Sequence, residues 1–291
     1  MEREKYIERF FEYLKIEKNF SHNTIINYKK DISTFLTIVK KDFDKINHFD
    51  IRNFLSYLLK KKYKRTSIAR KIATLRTLFR FFLREGIVNT NPLVYISSFQ
   101  KEKNIPVFLD IPEVEILLTL PDITTLSGLR NKAVLETLYG TGIRVSELIN
   151  LRVDDIDGLG GVVKVKGKRN KERIIPIGEK ALESIESYLN HPERVFFETE
   201  KAIFLNLRGK KITSRSITRI VKKYVNLASI QKKVSPHTFR HSFATHLMNA
   251  GCTLRAIQEM LGHSSLSTTQ IYTHVTVNKL KKVYEKAHPR S

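Results

Sequence analysis

Six residues in the C-terminal half have the types and spacing for chemistry at a phosphate. Arg144 stands with Glu147 in Gly-Thr-Gly-Ile-Arg-Val-Ser-Glu-Leu, and Lys168 in Lys-Gly-Lys-Arg-Asn-Lys-Glu-Arg. His237 and Arg240 lie one helical turn apart in Pro-His-Thr-Phe-Arg-His, and His263 in Leu-Gly-His-Ser is followed nine residues later by Tyr272. Arginine offers paired donors to phosphate oxygens and keeps its charge at every ordinary pH. Histidine or lysine can then move a proton. A free tyrosine with a pKa near ~10 is a poor nucleophile, so cationic surroundings are a functional need if it attacks. Taken singly, Lys168 reads as a solvated turn lysine and Tyr272 as a core aromatic; their ordered combination lifts them above that.

Competing chemistries fit less well. His237, His241 and His246 lack an HExxH pattern and an acidic cluster, so no metal is expected. Gly161 through Gly167-Lys168 departs from a phosphate loop, because the spacing is one residue too long and Arg169 stands where Ser or Thr belongs. Nucleotide hydrolysis is therefore rejected, and no cofactor is expected.

These residues need elements to hold them. Val162–Lys166 and Arg173–Ile177 read as two strands of a hairpin whose turn carries Lys168, with Ala202–Leu205 as a candidate third strand. Helices are predicted at Pro112–Leu120, Gly128–Tyr139, Glu179–Leu189, Ser214–Leu227, Pro236–Asn249, Leu254–Leu261, Ser267–His274 and Val277–Lys286. In the last, Val277, Leu280, Val283, Tyr284 and Ala287 share a stripe that suits packing on its own domain as well as on another subunit. Residues 1–96 read as four amphipathic helices: near Glu4–Lys18, after a Ser21 N-cap, after Asp50, and from Thr66–Ser67 to Gly86. Residues 97–106, Ser97 to Pro106, are polar and broken enough for a linker, which leaves 107–291 as the second domain. The fold class is mainly α, in two domains, the second α+β with a small sheet.

At 291 residues the chain is long for one core and comfortable for two. No apolar run is long enough to cross a bilayer, and a lone Cys252 excludes an internal disulfide and fits a cytoplasmic protein. The net charge is +23, of which residues 1–100 hold +11 and the remainder +12, so a polyanion touching both halves is the simplest partner. In the fourth helix Arg65, Arg70, Arg76, Arg80 and Arg84 fall away from the apolar stripe of Ile68, Ile72, Leu75, Phe79 and Phe82. No acid occurs between Asp50 and Glu85, although eleven basic residues do, which favours a helix presented to DNA.

In order and spacing, Arg144, Lys168, His237, Arg240, His263 and Tyr272 resemble the signature of the tyrosine recombinases. The strings His-Thr-Phe-Arg-His-Ser-Phe-Ala-Thr-His-Leu and Leu-Gly-His-Ser-Ser-Leu-Ser-Thr-Thr-Gln-Ile-Tyr-Thr-His-Val are similar to the Xer branch. The resemblance covers nearly the whole chain. It implies an N-terminal four-helix core-binding (SAM-like) domain and a C-terminal catalytic domain that clamp duplex DNA. It further implies that Tyr272 forms a 3′-phosphotyrosyl intermediate while Arg144 and Arg240 stabilise the phosphate and Lys168 protonates the leaving 5′-oxygen. His237 and His263 would assist at the phosphate, and Glu147 would orient its basic neighbours. The implied partners are double-stranded DNA with an inverted-repeat site, three further subunits in a homotetramer or a heterotetramer with a paralogue, and a translocase or accessory protein, but no membrane. The C-terminal helix would pass into the next subunit. The role implied is resolution of chromosome or plasmid dimers. The alternatives are an integrase of a mobile element, a type IB topoisomerase and a non-catalytic DNA-binding regulator, whose mark would be a broken motif.

Overall fold

The computed structural model describes residues 2–97, 107–167, 172–195, 201–262 and 274–291. They fall into two compact units, residues 1–104 and 105–291. The first is built from four helices: α1 (Glu2–Ile16), α2 (His22–Ile38), α3 (His48–Lys60) and α4 (Arg65–Arg84). Ser21 caps α2 as expected, accepting from the Thr24 N–H at 3.4 Å. The third helix starts earlier than predicted. Asn47 is its N-cap and Asp50 lies inside the first turn, its carboxylate accepting from the Asn47 N–H at 3.0 Å in a capping box. Phe10, Phe35, Phe54, Phe79 and Phe82 meet in the core of this unit, mostly edge to face. Ile68, Ile72 and Leu75 are buried with Phe79 and Phe82, so the predicted stripe of α4 is its core face.

The second unit contains α5 (Ile111–Thr119), α6 (Leu126–Thr141), α7 (Val145–Leu148), β1 (Ile156–Asp157), β2 (Val162–Lys166), β3 (Glu172–Pro176), α8 (Glu179–Leu189), α9 (Pro192–Val195), α10 (Ser214–Leu227), α11 (Pro236–Asn249), α12 (Leu254–Leu261) and α13 (His274–Ala287). The sheet is antiparallel in the order β1-β2-β3, with Val163 opposite Ile175 and Val165 opposite Arg173. The expected hairpin is present, but Ala202–Leu205 is not its third strand. That segment makes only isolated bridges, to Arg152 and Lys211, and two-residue β1 occupies the free edge of β2. A strand of two residues carries no period for a sequence to show.

Helix α6 is buried nearly all round and lies against α5, α8 and α11, which makes it the axis of the unit. Helix α13 packs on β3 and α11 of its own unit, with Leu280 and Tyr284 buried and Val283 and Ala287 partly so. From Leu280 to Ala287 the stripe predicted for exchange with a neighbour is therefore covered within the chain, and handing it over would require those contacts to be remade elsewhere. Most of the helix expected at Ser267–His274 lies outside the described residues.

Candidate active site

Helix α6 stops at Gly142, whose left-handed φ of 59° only glycine adopts at little cost. A Cβ there would also meet the Phe243 ring at 2.6 Å. The chain then turns into α7, of which Arg144 is the N-cap. The Arg144 N–H donates to Glu147 Oε2 at 2.7 Å and its Nη1 donates to Glu147 Oε1 at 2.9 Å. The expectation that Glu147 orients a basic neighbour thus has a definite geometry, with backbone and side chain of one arginine held by one carboxylate.

The carboxylate has a second partner that the sequence reading did not single out. Arg173 on β3 faces the core side of the strand along with Ile175 and is 5% exposed. Its Nη1 and Nη2 donate to Glu147 Oε1 and Oε2, both at 2.8 Å, a bidentate pair. Its Nε donates to the Met260 carbonyl at 3.0 Å. One signal pointed here: in a strand whose inward positions include Ile175, the register also turns Arg173 inward, and a buried arginine needs a carboxylate.

Arg240, on α11, completes the set. Its Nη1 donates to the Gly142 carbonyl at 2.7 Å and its Nη2 to the Leu261 carbonyl at 2.6 Å. Arg144 Nη2 donates to the Gly262 carbonyl at 3.2 Å. Three successive carbonyls, of Met260, Leu261 and Gly262, therefore each accept from a different arginine. They belong to the C-terminus of α12, where carbonyls lack intrahelical donors and carry the negative end of the helix dipole. Gly262 is its left-handed cap, at φ 65°, and a Cβ on it would meet Arg173 Cδ at 2.9 Å.

Charge decides what this cluster can do. Three guanidiniums surround one carboxylate, so a surplus of positive charge stays fixed at the site. Burial pushes the Glu147 carboxyl up, but hydrogen bonds and charge from Arg173, then those from Arg144, outweigh it and hold the carboxyl below its ordinary value. Burial, then repulsion from Arg144 and Arg173, lowers the Arg240 guanidinium to about 10. An anion bound beside it relieves that repulsion, and a phosphodiester carries one negative charge with oxygens matched to the forks of Arg144 and Arg240.

His237 is exposed on the first turn of α11, three residues before Arg240. Lys168, His263 and Tyr272 lie outside the described residues. His246 is buried, with Nδ1 2.8 Å from the Tyr139 hydroxyl, whereas His237 and His241 are exposed, so the three histidines do not converge. In the N-terminal unit the five arginines of α4 divide. Arg70 is tied to Asp31, Arg76 to the Ile96 carbonyl, and Arg84 lies 4.3 Å from the Tyr13 ring centre and bonds Glu85. Arg65 and Arg80 are exposed. The stretch free of acids along the chain thus meets acids in space, Asp31 of α2 and Glu17 just beyond α1, pairings that local sequence does not reveal.

Comparison with known proteins places this geometry in a family. The phage integrase family matches residues 108–279, and its N-terminal SAM-like domain matches residues 7–86. The tyrosine recombinase XerC of Oceanobacillus iheyensis is 45% identical over 296 residues, 99% of this chain and 97% of its own. The tyrosine recombinase XerD of Staphylococcus haemolyticus is 42% identical over 296 residues, 99% of this chain and all of its own (100%). Among solved structures, a lambda integrase dimer bound to a COC′ core site has a TM-score of 0.72 at 18% identity, covering 92% of this chain and 99% of that one. The chain therefore belongs to the phage integrase family, in its Xer-type tyrosine recombinase branch, whose members break and rejoin DNA site-specifically.

Proposed function

We propose that this recombinase acts through Tyr272 at a short inverted-repeat DNA site and serves to resolve chromosome or plasmid dimers in the cytoplasm. The observation that carries the catalytic reading is the surplus of fixed positive charge at Arg144, Arg173 and Arg240 around the single carboxylate of Glu147. The Tyr272 oxygen attacks the scissile phosphorus, the bond from phosphorus to the 5′-oxygen breaks, and a 3′-phosphotyrosyl link forms. Arg144 and Arg240 stabilise the charge that builds on the phosphorus-bound oxygens, the largest contribution expected in such a site. Lys168 gives its proton to the departing 5′-oxygen, while His237 and His263 assist proton transfer and phosphate binding. In the second half, the 5′-hydroxyl of a partner strand attacks the same phosphorus and releases the tyrosine. The covalent link conserves the bond energy, so the reaction needs no nucleotide.

Strand exchange between two sites implies four subunits, either identical or paired with a paralogue, with a translocase or accessory protein to activate them. Arg65, Arg70, Arg76, Arg80 and Arg84 of α4 contribute to DNA binding, with Arg80 the most direct phosphate contact. Arg70, Arg76 and Arg84 act from the positions that Asp31, Ile96 and Tyr13 give them.

The test begins by selecting the preferred duplex from a randomised pool and building it as a nicked substrate that traps the covalent adduct. The wild-type protein is expected to form an adduct that survives a denaturing gel. Tyr272→Phe is expected to bind the same duplex and form none. An adduct in the Tyr272→Phe protein would move the nucleophile to another residue. Lys168→Ala is expected to regain cleavage on a 5′-bridging phosphorothioate, whose sulfur leaves without a proton; absence of that rescue would shift the acid role to His237.

A further inference from the structure

We infer that Arg173 is a positioning residue for DNA cleavage, a strand arginine that sets the place of Arg144 through Glu147 and fixes the end of α12 beside it. The inference rests on the reading that Arg144 and Arg240 bind the scissile phosphate. Glu147 accepts from Arg144 Nη1, from the Arg144 N–H and from both Nη atoms of Arg173. Four donors fill the sites that a carboxylate offers. A carboxylate held on all sides cannot turn, so the fork of Arg144 hangs from a fixed pivot. With Arg173 gone, Arg144 alone would satisfy the charge of Glu147, but only from one side, and the pivot would swing.

The other end of the same side chain does a second task. Arg173 Nε holds the Met260 carbonyl, while Arg240 holds that of Leu261 and Arg144 that of Gly262. Arg173 is thus the common link between the two other arginines. It shares a carboxylate with Arg144 and a helix end with both. Gly262 is packed so closely on its Cδ and Nε that a side chain there would displace the guanidinium. Neutralising a buried carboxylate would need one positive group only. The bidentate pair plus a third bond to α12 is more than neutralisation requires, and it is the geometry of alignment.

The consequence is a loss of rate without a loss of DNA affinity, because a misplacement of about 1 Å in a reacting group costs on the order of 100-fold in rate. Arg173→Gln and Arg173→Lys are assayed on the selected nicked duplex, in single turnover, with binding read by gel shift and folding by thermal unfolding. Both variants are expected to bind as the wild type does. Arg173→Gln should cleave about 100-fold more slowly. Arg173→Lys, whose single ammonium cannot reach both Glu147 and Met260, should recover only part of that. A second duplex carries a methylphosphonate at the scissile position, which lacks one charged oxygen and so has less need of a guanidinium. There the defect of Arg144→Ala should shrink, and those of both Arg173 variants should shrink with it.

A purely structural Arg173 would show equal defects on the two duplexes. That outcome, full activity in Arg173→Lys, or failure of both variants to fold would overturn the inference while leaving the role of Arg144 intact. Should Arg144→Ala show no relief on the methylphosphonate, the reading of Arg144 as a phosphate ligand fails first, and the role of Arg173 fails with it.

Discussion

Arg240 shows how one side chain can be anchored firmly while its charge stays uncancelled. It is 8% exposed, yet it is held by two carbonyls instead of a carboxylate. Its charge is therefore oriented but not cancelled, and this is the condition an oxyanion-stabilising group must meet. Arg240→Lys keeps the charge but cannot span Gly142 and Leu261 together. Single-turnover cleavage is expected to fall about 100- to 1,000-fold with duplex binding retained. Wild-type cleavage in that variant would show that the fork is dispensable. Arg144 and Arg240 were legible in the sequence because each sits in a long, specific local string. Arg173 was not, because its partners Glu147 and Met260 lie 26 and 87 residues away and its own string resembles any charged hairpin. Sequence patterns report neighbours along the chain, whereas this residue is defined by neighbours across it.

At the scale of elements, the N-terminal helices are locked by a group that periodicity also overlooks. Asp31 of α2 is fully buried and accepts from Lys71 Nζ at 3.1 Å and from Thr74 Oγ1 at 3.1 Å on α4, as well as from Arg70. Lys71 also donates to Thr34 at 3.1 Å, and its side chain is 6% exposed. Removing the carboxylate strands a buried ammonium. Asp31→Ala should therefore destabilise this unit by about 3 kcal/mol, the low end for breaking a buried pair because Arg70 is largely solvated. Urea unfolding of the full chain, with hydrogen exchange followed in α2 and α4, measures this; a shift within error would mean that water replaces the lock. Asp31 looks in sequence like one more polar residue of an amphipathic helix, and only the pairing of α2 with α4 gives it a role. The helices themselves were legible, to within a few residues at their ends, because their apolar stripes are long. Four-residue α7 and two-residue β1 were not, being too short to show a period.

For the whole molecule, the +23 charge spread over both halves predicts a salt-sensitive complex. Duplex affinity should drop on the order of 1,000-fold between about 50 and 200 mM salt if six or so phosphates are neutralised. A flat titration would rule out a clamp that uses both units. Acid acts on the molecule by another route, through the tail that follows α13. His288 is stacked on Tyr284 and packed against Tyr139 and Phe243, and its Nδ1 accepts from the Arg290 N–H at 3.1 Å. Arg290 in turn pairs with buried Glu136 of α6. Burial above all, helped by the charges of His246 and then Arg290, lowers the imidazole from its ordinary 6.5 to about 3. A native pKa below the unfolded one means that the unfolded chain binds more protons between those values. The stabilising contribution of neutral His288 is therefore complete above 6.5 and is lost progressively as pH falls toward 3. The contribution of Glu147 has the same sign but declines only below the ordinary carboxyl value of 4.5. Melting temperatures of the catalytic unit measured in the full chain should thus begin to fall below pH 6.5, above the range in which the Glu147 contribution declines. His288→Gln, which cannot gain a proton, should flatten the slope between pH 6.5 and 4.5 and leave the steeper loss below it. An unchanged slope in that variant would assign the early acid sensitivity to His246, whose imidazole burial also lowers.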